Sequence, residues 1–276
     1  MTIPMINLLT GEKIPNVVSF RTEEQQLAWL KDKKRRQALE KQGSIPFIAC
    51  YHTPIQTISS KLSLTEAGAL FNLLFYVPLN AGGRLSHNGQ ALTQQDIQRI
   101  IGRKLTQTKA ILKKLEQVEL LLPEKEGRKK TYRINEHFHR RGTLSNQLFT
   151  KVIYPSERSH IHALPLTQAG LLYKLLPYIH YHTNIIVSNP NEEDETKIQP
   201  MTREELAKAI QHSPTELTKL MQALHARKLI LTSSYTREQI YTIHPDLMYR
   251  KNSDGQDFYT SFLRHTFLFI EENPTR

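Results

Sequence analysis

The segment from Leu64 to Val77 returns 102 residues later as Leu166 to Ile179, with nearly every apolar position kept. Leu64-Thr65-Glu66-Ala67-Gly68 lies over Leu166-Thr167-Gln168-Ala169-Gly170, and Leu70, Leu73, Leu74 and Tyr76 lie over Leu172, Leu175, Leu176 and Tyr178. The offset then becomes 109, because the second copy carries seven more residues in the connection that holds Asn191-Glu192-Glu193-Asp194-Glu195. From there Thr93, Ile97, Ile101, Ile111, Leu112, Leu115, Leu120, Tyr132 and Ile134 fall without a gap on Thr202, Leu206, Ile210, Leu220, Met221, Leu224, Leu229, Tyr241 and Ile243. Self-similarity of this kind means one supersecondary unit built twice.

Within copy one, Leu64 to Val77 has apolar residues at helical spacing, and Thr65 with Glu66 suits a helix start. A turn follows at Asn80-Ala81-Gly82-Gly83, then a short strand near Arg84. Thr93 suits an N-cap with Asp96 at the third helical position, and Ile97, Ile100 and Ile101 make one apolar stripe. Gly102 ends that helix, and Thr106 can cap the next, whose stripe is Ile111, Leu112, Leu115 and Val118. Two short helices separated by a Gly-containing turn read as a helix-turn-helix. Leu120-Leu121-Leu122 and Thr131-Tyr132-Arg133-Ile134 read as two strands around a basic loop, Pro123 to Lys130. The expected class is therefore α+β and mostly α, with tandem winged helix-turn-helix domains. An N-terminal extension with a basic helix occupies 1–47, the two winged-helix domains 48–142 and 143–256, and an aromatic-rich C-terminal helix 257–276.

Charge separates the two copies. Lys and Arg number 37 against 26 Asp and Glu, for a net +11, and an excess this large points first to nucleic acid and second to anionic membrane. The four segments contribute +3, +8, +1 and −1 in chain order, so the first winged helix holds most of it. A lone Cys50 excludes an internal disulfide, a zinc ribbon and a CxxC redox pair, and suits the reducing cytoplasm. Without a signal-like start or an apolar run of about 18 residues, the chain is expected neither to be secreted nor to span a membrane.

The stretch from Thr93-Gln94-Gln95-Asp96-Ile97 through Leu112-Lys113-Lys114-Leu115 to Tyr132-Arg133-Ile134-Asn135 and Arg141-Gly142 resembles the winged-helix domain of Firmicute plasmid replication proteins of the RepL type. It is also similar to winged-helix transcription regulators of phages and plasmids. The tandem arrangement is similar to that of iteron-plasmid replication initiators. The resemblance implies double-stranded DNA as the partner.

In a winged helix the second helix of the motif enters the major groove and the hairpin reaches the flanking backbone. With Ile111, Leu112 and Leu115 inward, Thr106, Lys109, Ala110, Lys113 and Gln117 turn outward. Lys109 and Lys113 suit guanine edges or phosphate, Ala110 suits a thymine methyl, and Thr106 sits at the dipole-positive helix start. Arg103 and Lys104 in the turn, with Lys125, Arg128, Lys129 and Lys130 in the hairpin, supply phosphate neutralisation. Copy two places Thr215, Thr218, Lys219, Gln222 and Ala226 at the matching positions, with Ser233-Ser234-Tyr235-Thr236-Arg237 at the hairpin tip. That face suits base readout by hydroxyls and amides but holds little for phosphate. It is either a weaker half-site reader or a surface for protein contact.

Outside the repeat, Thr22 to Gln42 reads as a helix crowded with Lys31, Lys33, Lys34, Arg35, Arg36 and Lys41, anchored by Leu27, Trp29 and Leu30. The tail from Phe258 to Ile270 has aromatics at helical spacing and either packs on the second domain or forms a homodimer. Three His-x-His pairs, His137/His139, His160/His162 and His180/His182, raise a metal-dependent nuclease of the rolling-circle type. The repeat places the first pair over Asp246-Leu247-Met248, in the turn after the hairpin, so no metal, cofactor or catalytic residue is expected. A phosphate-binding GxxxxGK[ST] run is also missing from the sequence. The expected protein is a non-enzymatic, sequence-specific double-stranded DNA-binding protein, foremost a transcriptional regulator of a phage or plasmid. The alternatives are a replication initiator at repeated origin sites and a protein-interaction scaffold with degenerate winged helices.

Overall fold

The computed structural model describes residues 5–6, 13–14, 46–154, 164–235, 238–252 and 255–272. Two compact units divide the chain, 1–44 and 45–276. In the first, β1 (Met5–Ile6) and β2 (Lys13–Ile14) pair antiparallel. The expected helix from Thr22 to Gln42, the His160/His162 pair and Arg237 lie outside the described residues. The second unit is α+β, with its strands in small antiparallel sheets. No helix among the described residues is long and apolar enough to cross a membrane.

Copy one starts with β3 (Phe47–Tyr51) and α1 (His52–Ser59). α2 (Leu64–Leu74) opens on Ser63, whose hydroxyl accepts from the Glu66 N–H while the Glu66 carboxylate accepts from the Ser63 N–H at 2.7 Å. This capping box starts the helix ahead of Thr65, and the helix stops at Leu74, short of Val77. A small hairpin, β4 (Ser86–His87) and β5 (Gln90–Ala91), leads to α3 (Gln94–Ile101), capped reciprocally by Thr93 and Asp96 and ended by Gly102 at φ +66°. α4 (Leu105–Gln117) begins one residue before Thr106, so Thr106 lies in its first turn and does not cap it; Lys104 is the N-cap residue and gives no side-chain cap. β6 (Leu121–Glu126) and β7 (Lys129–Ile134) pair from Leu121↔Ile134 to Glu126↔Lys129. The expected basic loop is thus mostly strand, closed by the two-residue turn Gly127-Arg128 with Gly127 at φ +61°. Arg84 adds an isolated antiparallel bridge to Arg133 of β7.

Copy two repeats this plan through α5 (Leu166–Leu175), α6 (Arg203–Ile210), α7 (Pro214–Ala226), β10 (Ile230–Tyr235) and β11 (Glu238–Ile243). Local details recur with it. Thr202 and Glu205 form the same reciprocal box, Gln211 takes the left-handed position of Gly102, and Ile185 bridges Thr242 as Arg84 bridges Arg133.

The copies are fused through a four-stranded sheet. Its central pair is β3 and β9 (Phe149–Ile153), and its edges are β8 (His139–Arg140) and β12 (Met248–Tyr249), in the order β12-β9-β3-β8. Ala49 faces Lys151, its own equivalent at an offset of 102, and the rungs run outward evenly to Phe47↔Ile153 and Tyr51↔Phe149. The edges match as well: Cys50 faces His139 where Val152 faces Met248. A pseudo-two-fold axis therefore passes between Ala49 and Lys151. It passes again between α2 and α5, where Gly68 meets the Leu166 carbonyl and Gly170 meets the Leu64 carbonyl, again a pair of equivalents. Both copies contribute to one continuous core that includes Leu70, Phe71, Leu74, Leu112, Leu171, Leu172, Leu175 and Leu224.

Candidate nucleic-acid interface

Helix α4 buries Thr108, Ile111, Leu112 and Leu115, and the Thr108 hydroxyl donates to the Lys104 carbonyl at 3.2 Å, which ties the turn to the helix. The opposite face presents Thr106, Lys109, Ala110, Lys113 and Gln117, all exposed, with Arg103 and Lys104 exposed just before them. On the hairpin Lys125, Arg128, Lys129 and Lys130 are exposed. The hairpin's own acids are taken up elsewhere: Glu126 pairs with Arg84 and Glu124 with Arg133, each at 2.7 Å. Lys130 is also engaged, with Glu116 at 2.7 Å and its ammonium 5.1 Å from the Tyr132 ring centroid. Arg103, Lys104, Lys109, Lys113, Lys125, Arg128 and Lys129 have no ion-pair partner among the described residues.

Lys104 is the most informative of these. At the equivalent place in copy two, Ser213 accepts a hydrogen bond from the Glu216 N–H and caps α7. Copy one lacks that cap and has a cation at a helix N-terminus, where the dipole repels it. Both choices lower stability and both favour an arriving anion. Lys104→Ser is expected to raise folding stability by about 1 kcal/mol in urea denaturation. No gain would show that the position carries no functional compromise.

Leu105 belongs to this face, although periodicity hides it. In phase with Leu112 it reads as core, yet in the first turn it overhangs the core and stays 43% exposed beside Lys104 and Thr106.

Copy two presents exposed Thr215, Lys219 and Gln222. Thr218 is half-buried, and its hydroxyl donates back to the Pro214 carbonyl at 3.0 Å. Lys219 is the only lysine or arginine within α7, and where copy one has Arg103 copy two has His212, 3.3 Å from Glu216.

No cluster of three or more metal-binding side chains occurs among the described residues. His139 is not in a turn but on the edge strand β8, fully buried, with Nε2 3.0 Å from the Tyr173 hydroxyl. His180 is held by the Thr183 hydroxyl at 2.9 Å and the Glu192 carbonyl at 2.8 Å. Burial pulls the His139 imidazole down to about 3, and burial, aided by the charge of Arg250, does the same to His52. Both rings stay neutral in the fold while the unfolded chain takes up protons below its ordinary 6.5. Stability is therefore whole above pH 6.5 and falls progressively toward pH 3, by about 1.4 kcal/mol per pH unit for each ring. Urea midpoints across that window check this, and a flat profile would contradict the buried neutral state.

No protein-family model, curated protein or solved structure matches the chain.

Proposed function

We propose that the chain is a sequence-specific, non-enzymatic double-stranded DNA-binding protein made of two winged helices, acting as a transcriptional regulator of a phage or plasmid. The order of helix, helix, turn, helix and hairpin in both copies supports the winged-helix reading. The observation that carries the DNA reading is the gathering of seven cations without ion-pair partners on α4, its preceding turn and the β6/β7 hairpin. In a winged helix these elements converge on one duplex: Lys109, Lys113, Ala110 and Thr106 toward bases, the turn and hairpin cations toward phosphate.

The pseudo-two-fold axis supports an inverted arrangement of half-sites. Two readers related by a two-fold read inverted half-sites, as a symmetric dimer does, but here within one chain. Their chemistry makes the arms unequal, a strong arm for copy one and a weak arm read through Thr215, Lys219 and Gln222 for copy two.

Sequencing the fragments that the full chain retains from random duplex DNA tests the reading. An inverted, unequal site is expected, and the lack of salt-sensitive duplex binding would overturn it in favour of the interaction scaffold. The second role, replication initiator, is favoured by the RepL-type resemblance from Thr93 to Gly142. Sites in a promoter support regulation, whereas iterated sites beside an A·T-rich origin support initiation.

A further inference from the structure

The C-terminal helix α8 (Phe258–Glu272) is firmly seated on copy two. Asp257 caps it, accepting from the Thr260 N–H at 3.1 Å and hydroxyl at 2.7 Å and pairing with Lys251 at 2.7 Å. Arg264 pairs with Asp246 at 2.6 Å, and Leu263 and Phe267 pack on Leu231, with the Phe267 ring 4.3 Å from that of His244. These contacts share one face of the helix. The aromatic face lies opposite: Phe258 is 86% exposed, Phe262 59%, Phe269 66% and Leu268 50%.

We infer that this face joins two copies of the chain as an antiparallel helix pair. Three observations choose a second copy as the occupant. Phe258, Phe262, His265 and Phe269 are spaced by four, three and four residues, a palindromic interval. An identical helix running the other way meets that stripe in register, Phe258 against Phe269 and Phe262 against His265, as a two-fold interface requires. Area agrees as well. An aromatic side chain covers about 150 to 250 Å² when buried, so the exposed stripe offers roughly 500 Å² per copy. Mutual coverage then removes about 1,000 Å², and contacts flanking the stripe bring this near the 1,200 Å² at which specific interfaces begin. Charge excludes a membrane surface: an interfacial helix needs lysine and arginine on its polar face, and the single one in α8, Arg264, is held by Asp246. The dimer is independent of DNA binding, so either inference can fail without the other.

Sedimentation velocity on the full chain, without DNA and across the micromolar range, tests it. Concentration-dependent dimers are expected, and Phe258→Glu with Phe262→Glu should yield monomers with an unchanged circular dichroism spectrum. If that pair disturbs folding, Phe262→Cys with His265→Cys gives a second readout, because native Cys50 is buried and only the new thiols are exposed. Mild oxidation should then produce disulfide-linked dimers even at dilution. A wild-type chain that stays monomeric throughout the range, or glutamate variants that dimerise like it, would overturn the inference, and a face covered by another protein or by the chain itself would produce the first of these results.

Discussion

Gly68→Ala and Gly170→Ala are each expected to destabilise the protein by about 2 to 4 kcal/mol, although alanine is the better helix former by about 1 kcal/mol. The sign reverses because of where the helices cross. A Cβ on Gly68 would stand 1.9 Å from the Leu166 carbonyl oxygen, and one on Gly170 would stand 1.8 Å from that of Leu64. Both neighbours are backbone and cannot swing aside, so α2 and α5 must separate. Separation also strains the Ala49↔Lys151 pairing on the same axis and loosens the core that both copies share. One movement relieves both clashes, so the double variant should cost less than the sum of the singles. Urea denaturation of the three variants checks the magnitude and the shortfall. Stabilisation by either alanine, or strict additivity, would mean that the copies do not meet at this crossing.

The elements legible in the sequence were those whose signals are local and occur twice. Thr93 with Asp96 and Thr202 with Glu205 announce their helix starts by chemistry alone, and Gly102 announces a stop. The central strands were not legible. Phe47-Ile48-Ala49-Cys50-Tyr51 and Phe149-Thr150-Lys151-Val152-Ile153 share only their first residue, so the repeat vanishes where it does the joining. Their pairing spans about a hundred residues, and no local pattern encodes a partner that distant. Lys151 misleads further: a lysine in a strand reads as solvent-facing, yet it is buried with its ammonium 5.2 Å from the Phe47 ring centroid and 4.8 Å from that of Tyr249. At the candidate interface the outward positions of α4 followed from a 100° periodicity, because its inner face is a clean apolar stripe. Leu105 and the missing cap at Lys104 did not, since periodicity says nothing about where a helix overhangs its core.

Removing four cations from copy one, through Lys109→Ala, Lys113→Ala, Arg128→Ala and Lys129→Ala, is expected to produce the largest loss of DNA affinity. Deleting a side chain that reads a base costs about 1 to 3 kcal/mol, and deleting one that neutralises a phosphate makes the slope of log K against log salt shallower by about 0.9. Copy two supplies the internal control. Lys219→Ala with Gln222→Ala removes a comparable groove face but only one cation, so affinity should fall mainly on the preferred sequence and the slope should change by about 0.9 at most. The contrast follows from how charge is divided, +8 over 48–142 against +1 over 143–256, within a backbone arrangement that is otherwise two-fold. Under the proposed DNA-binding function, a symmetric scaffold with an asymmetric field is expected to orient itself on an unequal site, with copy one setting the affinity and copy two the direction of reading. Filter-binding titrations at several salt concentrations separate the two contributions. Equal slope changes for the two sets of variants would show that the two copies share the phosphate contacts equally, and would remove the assigned polarity.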